Sequence, residues 1–177
     1  MIRDIVLTGI LGAGLALDAF VVIMKIPSVF RRLFAEGAFN QAFIPVLAEY
    51  KEKDFSEVQN LVDRTFSALS IVLILVTVFA LLFAPLFVMI FAPGFYNEPI
   101  KKDLAEDILQ ITFPYLFFVS LVAFSGSILN SYQKFSLPAL TPLFYNLSLI
   151  VAALCFAAEF EAPIYAIAWG VFFAGII

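Results

Sequence analysis

A chain of 177 residues that is 63% hydrophobic, with 22 phenylalanines and a mean hydropathy of +1.04, lies far from a soluble globular domain, where charged residues alone make up about a quarter of the whole. It reads as an all-α, polytopic transmembrane helix bundle forming one domain over residues 1–177. The net charge of −4 comes from acids gathered in connectors, with no basic run to engage nucleic acid, and no histidine and a single cysteine leave no internal disulfide, imidazole acid–base pair or ordinary zinc site; neither a cofactor nor a metal is expected.

The first segment covers residues 3–17. Arg3 and Asp4 open it, and Gly9, Gly12 and Gly14 thin its far end for close backbone approach or a break. The apolar run from Ile5 to Leu17 is too short to cross a hydrocarbon core of about 30 Å. A signal peptide is the other reading of this run, but it passes directly into a charged helix and further hydrophobic segments follow. The chain is therefore expected to open partway through a helix.

The second segment, residues 18–48, has the length and apolar content of a span yet carries Asp18, Lys25, Arg31, Arg32 and Glu36. Each such charge facing acyl chains at the bilayer centre costs roughly 2.5 to 3.5 kcal/mol, so these groups are expected to face protein, a watery cavity or the membrane boundary. On an ideal helix Asp18, Lys25, Arg32 and Glu36 fall within about 40° of one another, a charged stripe on an apolar rod, with Arg31 about 140° from Asp18. Asp18 is the expected N-cap, and Pro27 is expected to kink or rewind the rod, which leaves the direction of Arg31 open.

A solvated connector, EYKEKD at 49–54, leads to a third span over 56–92, opened by a capping box of Ser56 and Gln59. From Thr65 to Ala92 it is uncharged, about 42 Å of helix at 1.5 Å per residue, with a bend expected at Pro85. Pro93-Gly94 ends it. The fourth span, 103–131, is expected to start with a second capping box of Asp103 and Glu106, a reading preferred to an acidic metal cluster. Pro114 interrupts it, and Ser120, Ser125, Gly126, Ser127 and Asn130 are read as a helix-contact surface in preference to a ligand site. A fifth span, 137–158, starts with Pro138 and Pro142. The sixth, 163–177, is expected to stop short. Lys51, Lys53, Arg64 and Lys134 in the connectors at 50–64 and 131–137 outnumber Lys101 and Lys102, a weak bias placing those connectors in the cytoplasm.

Cations within a membrane bundle bind anions, pair with carboxylates or sense voltage. Voltage sensing calls for an arginine at every third position, which the adjacent Arg31 and Arg32 do not supply. Pairing has a clear candidate in Arg32 and Glu36 at i, i+4, and Arg3 and Asp4 could pair with another helix. Lys25 and Arg31 remain, and a guanidinium matches phosphate oxygens.

Arg3-Asp4, then GAG-x-x-x-D-A-F from Gly12, K-x-P-x-x-x-R-R from Lys25 and F-A-E-G-A-F-x-Q-A-F-x-P from Phe34 occur in order, followed by APGF at 92–95, ITFPY at 111–115, ILN at 128–130 and FSLPA at 135–139. Over essentially the whole chain this series closely resembles the opening of the MurJ (MviN) family of lipid II flippases, in the multidrug/oligosaccharidyl-lipid/polysaccharide exporter superfamily. The resemblance implies a partial N-terminal lobe, roughly the first third of a longer helical bundle with a cationic cavity between two lobes. It implies a bacterial inner-membrane transporter, not an enzyme, that moves lipid II, the undecaprenyl-pyrophosphate-linked peptidoglycan precursor, from the inner to the outer leaflet by alternating access for cell wall synthesis. Lipid II and membrane lipid are then the partners. Substrate-binding residues carried over are Arg3, Asp4, Asp18, Lys25, Ser28, Arg31, Arg32 and Glu36. Arg3 and Arg31 are expected to meet the pyrophosphate while Asp4, Asp18 and Glu36 position them or exchange partners. Ser28 stands where an asparagine is common in the family, and cations contributed by other parts of the bundle are absent here. The alternatives are another exporter of the superfamily, moving a polysaccharide-linked lipid or a drug, a membrane enzyme acting on polyprenyl phosphates, or a scaffold whose charges merely pair. A drug exporter should show cavity acids without these arginines, and an enzyme should show paired acids for metal near the charged helix.

Overall fold

A computed structural model of the chain describes residues 2–12, 14–36, 38–51, 55–95, 97–160 and 162–176; the side chains of Ile2, Ala35, Glu36, Ala38 to Asn40 and Phe55 lie outside that description. In hydrocarbon every backbone N–H and C=O must find its partner within the protein, which an apolar segment achieves by coiling into helix. Among the described residues the regular structure is entirely helical. Three stretches are long and apolar enough to cross a membrane: Ser56–Leu82, Pro99–Ser131 and Ser136–Glu159.

Helix α1 (Ile2–Leu11) stops at Gly12, whose φ of 66° lies in the left-handed region that a side chain disfavours. The Gly12 amide closes the last turn on the Thr8 carbonyl at 3.0 Å. Helix α2 (Leu15–Ile23) starts with Gly14 as its N-cap. Asp18 is therefore not the cap expected from the sequence. The break at Gly12 starts the rod earlier, the Asp18 amide already bonds to the Gly14 carbonyl at 3.2 Å, and Asp18 sits exposed in the first turn, where a carboxylate still complements the helix dipole.

The expected single rod over 18–48 is divided into α2, α3 (Lys25–Arg31), a π-helical turn (Arg32–Glu36) and α4 (Ala38–Lys51). Pro27 has no N–H to give the Ile23 carbonyl, and the helix is interrupted beside it at Met24. The same chemistry acts at Pro85, where α5 (Phe55–Leu82) gives way at Phe83 to α6 (Ala84–Phe91), and at Pro114, which separates α7 (Pro99–Thr112) from α8 (Tyr115–Ser131). Pro45 and Pro142, by contrast, lie inside α4 and α9 (Ser136–Val151) without dividing them.

The residues before α5 lie outside the described ones, and with them the test of the Ser56 and Gln59 capping box. The second expected box, Asp103 with Glu106, does not open its helix. Helix α7 starts at Pro99, whose fixed φ and missing N–H suit a first helical position; Asp103 is exposed within the helix, and Glu106 pairs with Lys102 at 3.4 Å across one turn.

Helix α8 lies at the centre, packed against α3, the π-turn, α4, α5, α9 and α10 (Pro163–Ile176). Phe113, Leu116, Phe124, Ile26 and Leu109 are among the fully buried side chains around it. Phe30 bridges to the ring of Phe113 at 5.6 Å and to that of Phe87 at 6.0 Å. Helix α10 closes on α9 where Gly170 leaves no room for a side chain, an added Cβ meeting the Cβ of Ala152 at 2.5 Å. Ser148 Oγ donates across the same interface to the Gly170 carbonyl at 2.9 Å. At one end of the bundle Lys51 Nζ donates to the Ser131 carbonyl at 2.5 Å and lies 3.6 Å from the centroid of the Tyr132 ring. The C-terminal ends of α4 and α8 thus lie together, as the alternation of spans requires.

Candidate anion-binding site

Arg3 sits in the first turn of α1, and its Nε and an Nη both donate to one carboxylate oxygen of Asp4, at 3.0 and 2.6 Å. Arg31 ends α3 and is half-buried; Ser28, one turn earlier, returns its hydroxyl to the Met24 carbonyl at 2.7 Å. Two tyrosines reach the same place from other helices: Tyr115 from the start of α8 and Tyr145 from the middle of α9. Their rings are 5.6 Å apart, and the Arg3 guanidinium lies 6.0 Å from the centroid of Tyr145, at the limit of a cation–π contact.

These side chains, with Met24 and Pro27, line a cavity of about 190 Å³. Two further hollows adjoin it through shared walls. One, of about 360 Å³, includes Arg3, Asp4, Thr8, Ser28 and Tyr145; the other, of about 300 Å³, includes Arg31, Tyr115, Ser127, Asn130, Thr141 and Tyr145. Tyr145 belongs to all three. A larger hollow of about 750 Å³ lies between α9 and α10 against Phe144, Trp169 and Phe173, but no charged side chain lines it and the Ser148 hydroxyl on its wall is already committed to Gly170. It has nothing to offer an anion.

Of the residues expected from the sequence, Arg3, Asp4, Ser28 and Arg31 are brought together. Asp18, Lys25 and Arg32 are exposed and line none of these cavities. The side chain of Glu36, and with it the expected pair to Arg32, lies outside the described residues. Tyr115 and Tyr145 were not anticipated. A signal was present: in a chain of 22 Phe and 6 Tyr, a phenol in place of a phenyl within a span marks a hydroxyl that needs a polar neighbour.

Two guanidinium groups beside open space can hold a multivalent oxyanion through charge-assisted hydrogen bonds in a planar fork. The Asp4 carboxylate competes with such a ligand for Arg3. Arg3 is therefore paired, yet it has open volume beside it.

Comparison with known proteins gives a consistent result. Residues 7–177 match the family profile described as "Lipid II flippase MurJ". A "Probable lipid II flippase MurJ" from Buchnera aphidicola subsp. Acyrthosiphon pisum is 40% identical over 99% of this chain and 35% of its own length. One of the same description from Haemophilus influenzae is 37% identical, over 100% of this chain and 36% of the relative. A solved structure titled "Lipid II flippase MurJ, inward closed conformation" superposes with a TM-score of 0.81 at 28% identity, covering 99% of this chain and 37% of the other. The chain spans about a third of the length of the curated relatives it matches.

Proposed function

Because this chain belongs to the MurJ family of lipid II flippases, we propose that it supplies the part of such a transporter that receives the diphosphate of an undecaprenyl-linked precursor on its way from the inner to the outer leaflet of the bacterial inner membrane. It acts as a transporter component and not as an enzyme, with lipid II as cargo and membrane lipid as surroundings. A diphosphate and its sugars cannot enter hydrocarbon, since desolvating such charge costs far more than a lipid tail can offset. They need a polar, cationic route while the tail stays in the bilayer.

The observation that carries the reading is the convergence of Arg3 and Arg31, from two separate helices, on one cavity among apolar spans. Arg31 takes the diphosphate, and Arg3 changes partner from Asp4 to the incoming phosphate oxygen. Asp18, Lys25 and Arg32, each exposed, attract or guide the headgroup toward that cavity, a role extended from the sequence to Glu36. The test is Arg31→Ala in the complete protein: it abolishes lipid II translocation in reconstituted vesicles while leaving the protein folded and inserted. Normal translocation by that variant refutes the assignment.

A further inference from the structure

The hollow of about 300 Å³ next to the cationic cavity has Arg31, Tyr115, Ser127, Asn130, Thr141 and Tyr145 among its lining residues, and two of them, Asn130 and Thr141, differ from Ser127 beside them. In an apolar span a small polar side chain ordinarily returns to the backbone carbonyl one turn back. Ser125 does so to Leu121 at 2.9 Å, Ser127 to Ala123 at 2.8 Å, and Asn146 to Pro142 at 2.7 Å. Asn130 and Thr141 do not. Among the described residues neither the Asn130 amide, which is exposed, nor the Thr141 hydroxyl, which is half-buried, has an intramolecular partner, and both line the cavity. The helix contact read from the small residues of α8 is made in the wall of the same hollow by Gly126, where a Cβ would lie 3.5 Å from Pro138, and it leaves the Asn130 and Thr141 side chains uncommitted.

The rest of the wall is apolar, with Val119, Val122 and Pro142 among its residues, apart from two phenol rings tilted at 44° to each other and Arg31, which also lines the cationic cavity. An amide, hydroxyls and aromatic faces form the chemistry that a pyranose ring asks for. Its hydroxyl and acylamino groups exchange hydrogen bonds with side chains that both donate and accept, and its C–H face lies on an aromatic ring. The volume falls at the lower end of the roughly 300 to 1,000 Å³ of small-molecule sites, which suits one ring and not an entire headgroup.

We propose that this hollow is a carbohydrate subsite, in which Asn130 and Thr141 hydrogen-bond the sugar joined to the diphosphate that Arg31 holds. The inference rests on the proposed function for the placement of the diphosphate, and the two can be tested apart. Full-length protein in detergent is titrated with two ligands that share a tail and diphosphate: undecaprenyl diphosphate, and the same lipid carrying its sugars. An Asn130→Ala/Thr141→Val double variant is expected to bind the sugar-bearing lipid about five- to tenfold more weakly, the range for losing one or two net hydrogen bonds, and to bind undecaprenyl diphosphate as the parent does. Equal binding of both ligands by variant and parent overturns the subsite. So does an equal loss for both ligands in a variant that melts with the parent. Should the double variant melt early, Thr141→Val alone, isosteric with the parent side chain, carries the same comparison, and Thr141→Ser is expected to restore binding. Arg31→Ala weakens both ligands if the diphosphate sits as proposed. If it weakens neither while the double variant still discriminates, the sugar subsite stands and the cationic reading falls.

Discussion

Arg31 and Arg32 are neighbours in the chain and part company in space. Asp18, Lys25 and Arg32 are each exposed, while Arg31 lines two of the three adjoining cavities. That Asp18, Lys25 and Arg32 carry charge along an otherwise apolar segment was legible in the sequence, but 100° steps place them in one stripe only on an unbroken helix, which this segment is not. The destination of Arg31 was not legible, since it depends on where the break beside Pro27 and the following π-turn leave the last residue of α3. Tyr115 and Tyr145 were hidden for another reason: their meeting is a contact between α8 and α9 that no local pattern encodes. If Arg31 acts by presenting a planar fork to phosphate oxygens, charge alone will not replace it. Arg31→Lys keeps the charge and loses the second parallel hydrogen bond. Lipid II translocation by the complete protein carrying it is expected to fall about tenfold, the equivalent of roughly 1.4 kcal/mol, short of the abolition expected for Arg31→Ala. Initial rates in vesicles measure the difference, and equal rates for lysine and arginine would reduce the role to one of charge.

At the scale of elements, the helices themselves could be read from hydropathy and their joints could be read only in part. Pro27, Pro85 and Pro114 coincide with interruptions, whereas Pro45 and Pro142 sit in continuous helix. The missing amide is common to all five, so what differs is whether the surrounding packing bends the helix or holds it straight, and that is a tertiary property. The α9–α10 joint shows the same dependence on a partner. Gly170 reads as a small residue in a span, and its necessity appears only against Ala152, 2.5 Å from where its Cβ would be. Ala152 has no rotamer to yield, so the backbones must separate. Gly170→Ala is expected to cost about 1 to 3 kcal/mol, typical of overpacking, and to lower the melting temperature in detergent. Adding Ala152→Gly should recover most of that loss. Failure of the second change to compensate would show that the glycine serves something other than close approach.

The bundle as a whole has two ends, and the positions of its charges decide which end faces the cytoplasm. Lys51 bonded to the Ser131 carbonyl puts the C-terminal ends of α4 and α8 at one end of the bundle. The segment between α6 and α7, where Glu98 and Lys101 pair at 2.7 Å, is separated from them by one crossing of α5 and belongs at the other. Among the described residues three helices, Ser56–Leu82, Pro99–Ser131 and Ser136–Glu159, are long and apolar enough to cross a membrane, and a long uncharged helix has no stable alternative in water to burial or membrane. Orientation was harder, as it rests on only a few lysines and arginines. The cytoplasmic assignment of residues 50–64 and 131–137 is open to direct measurement in the complete protein. With Cys155 replaced by alanine, single cysteines are introduced at Glu98 and at Lys134, both exposed, and intact spheroplasts are treated with a membrane-impermeant maleimide. The cysteine at 98 should label from outside and the cysteine at 134 only after lysis. The reverse pattern would invert the bundle, and with it the direction in which the Arg3–Arg31 cavity must first open to take a headgroup from the cytoplasmic leaflet.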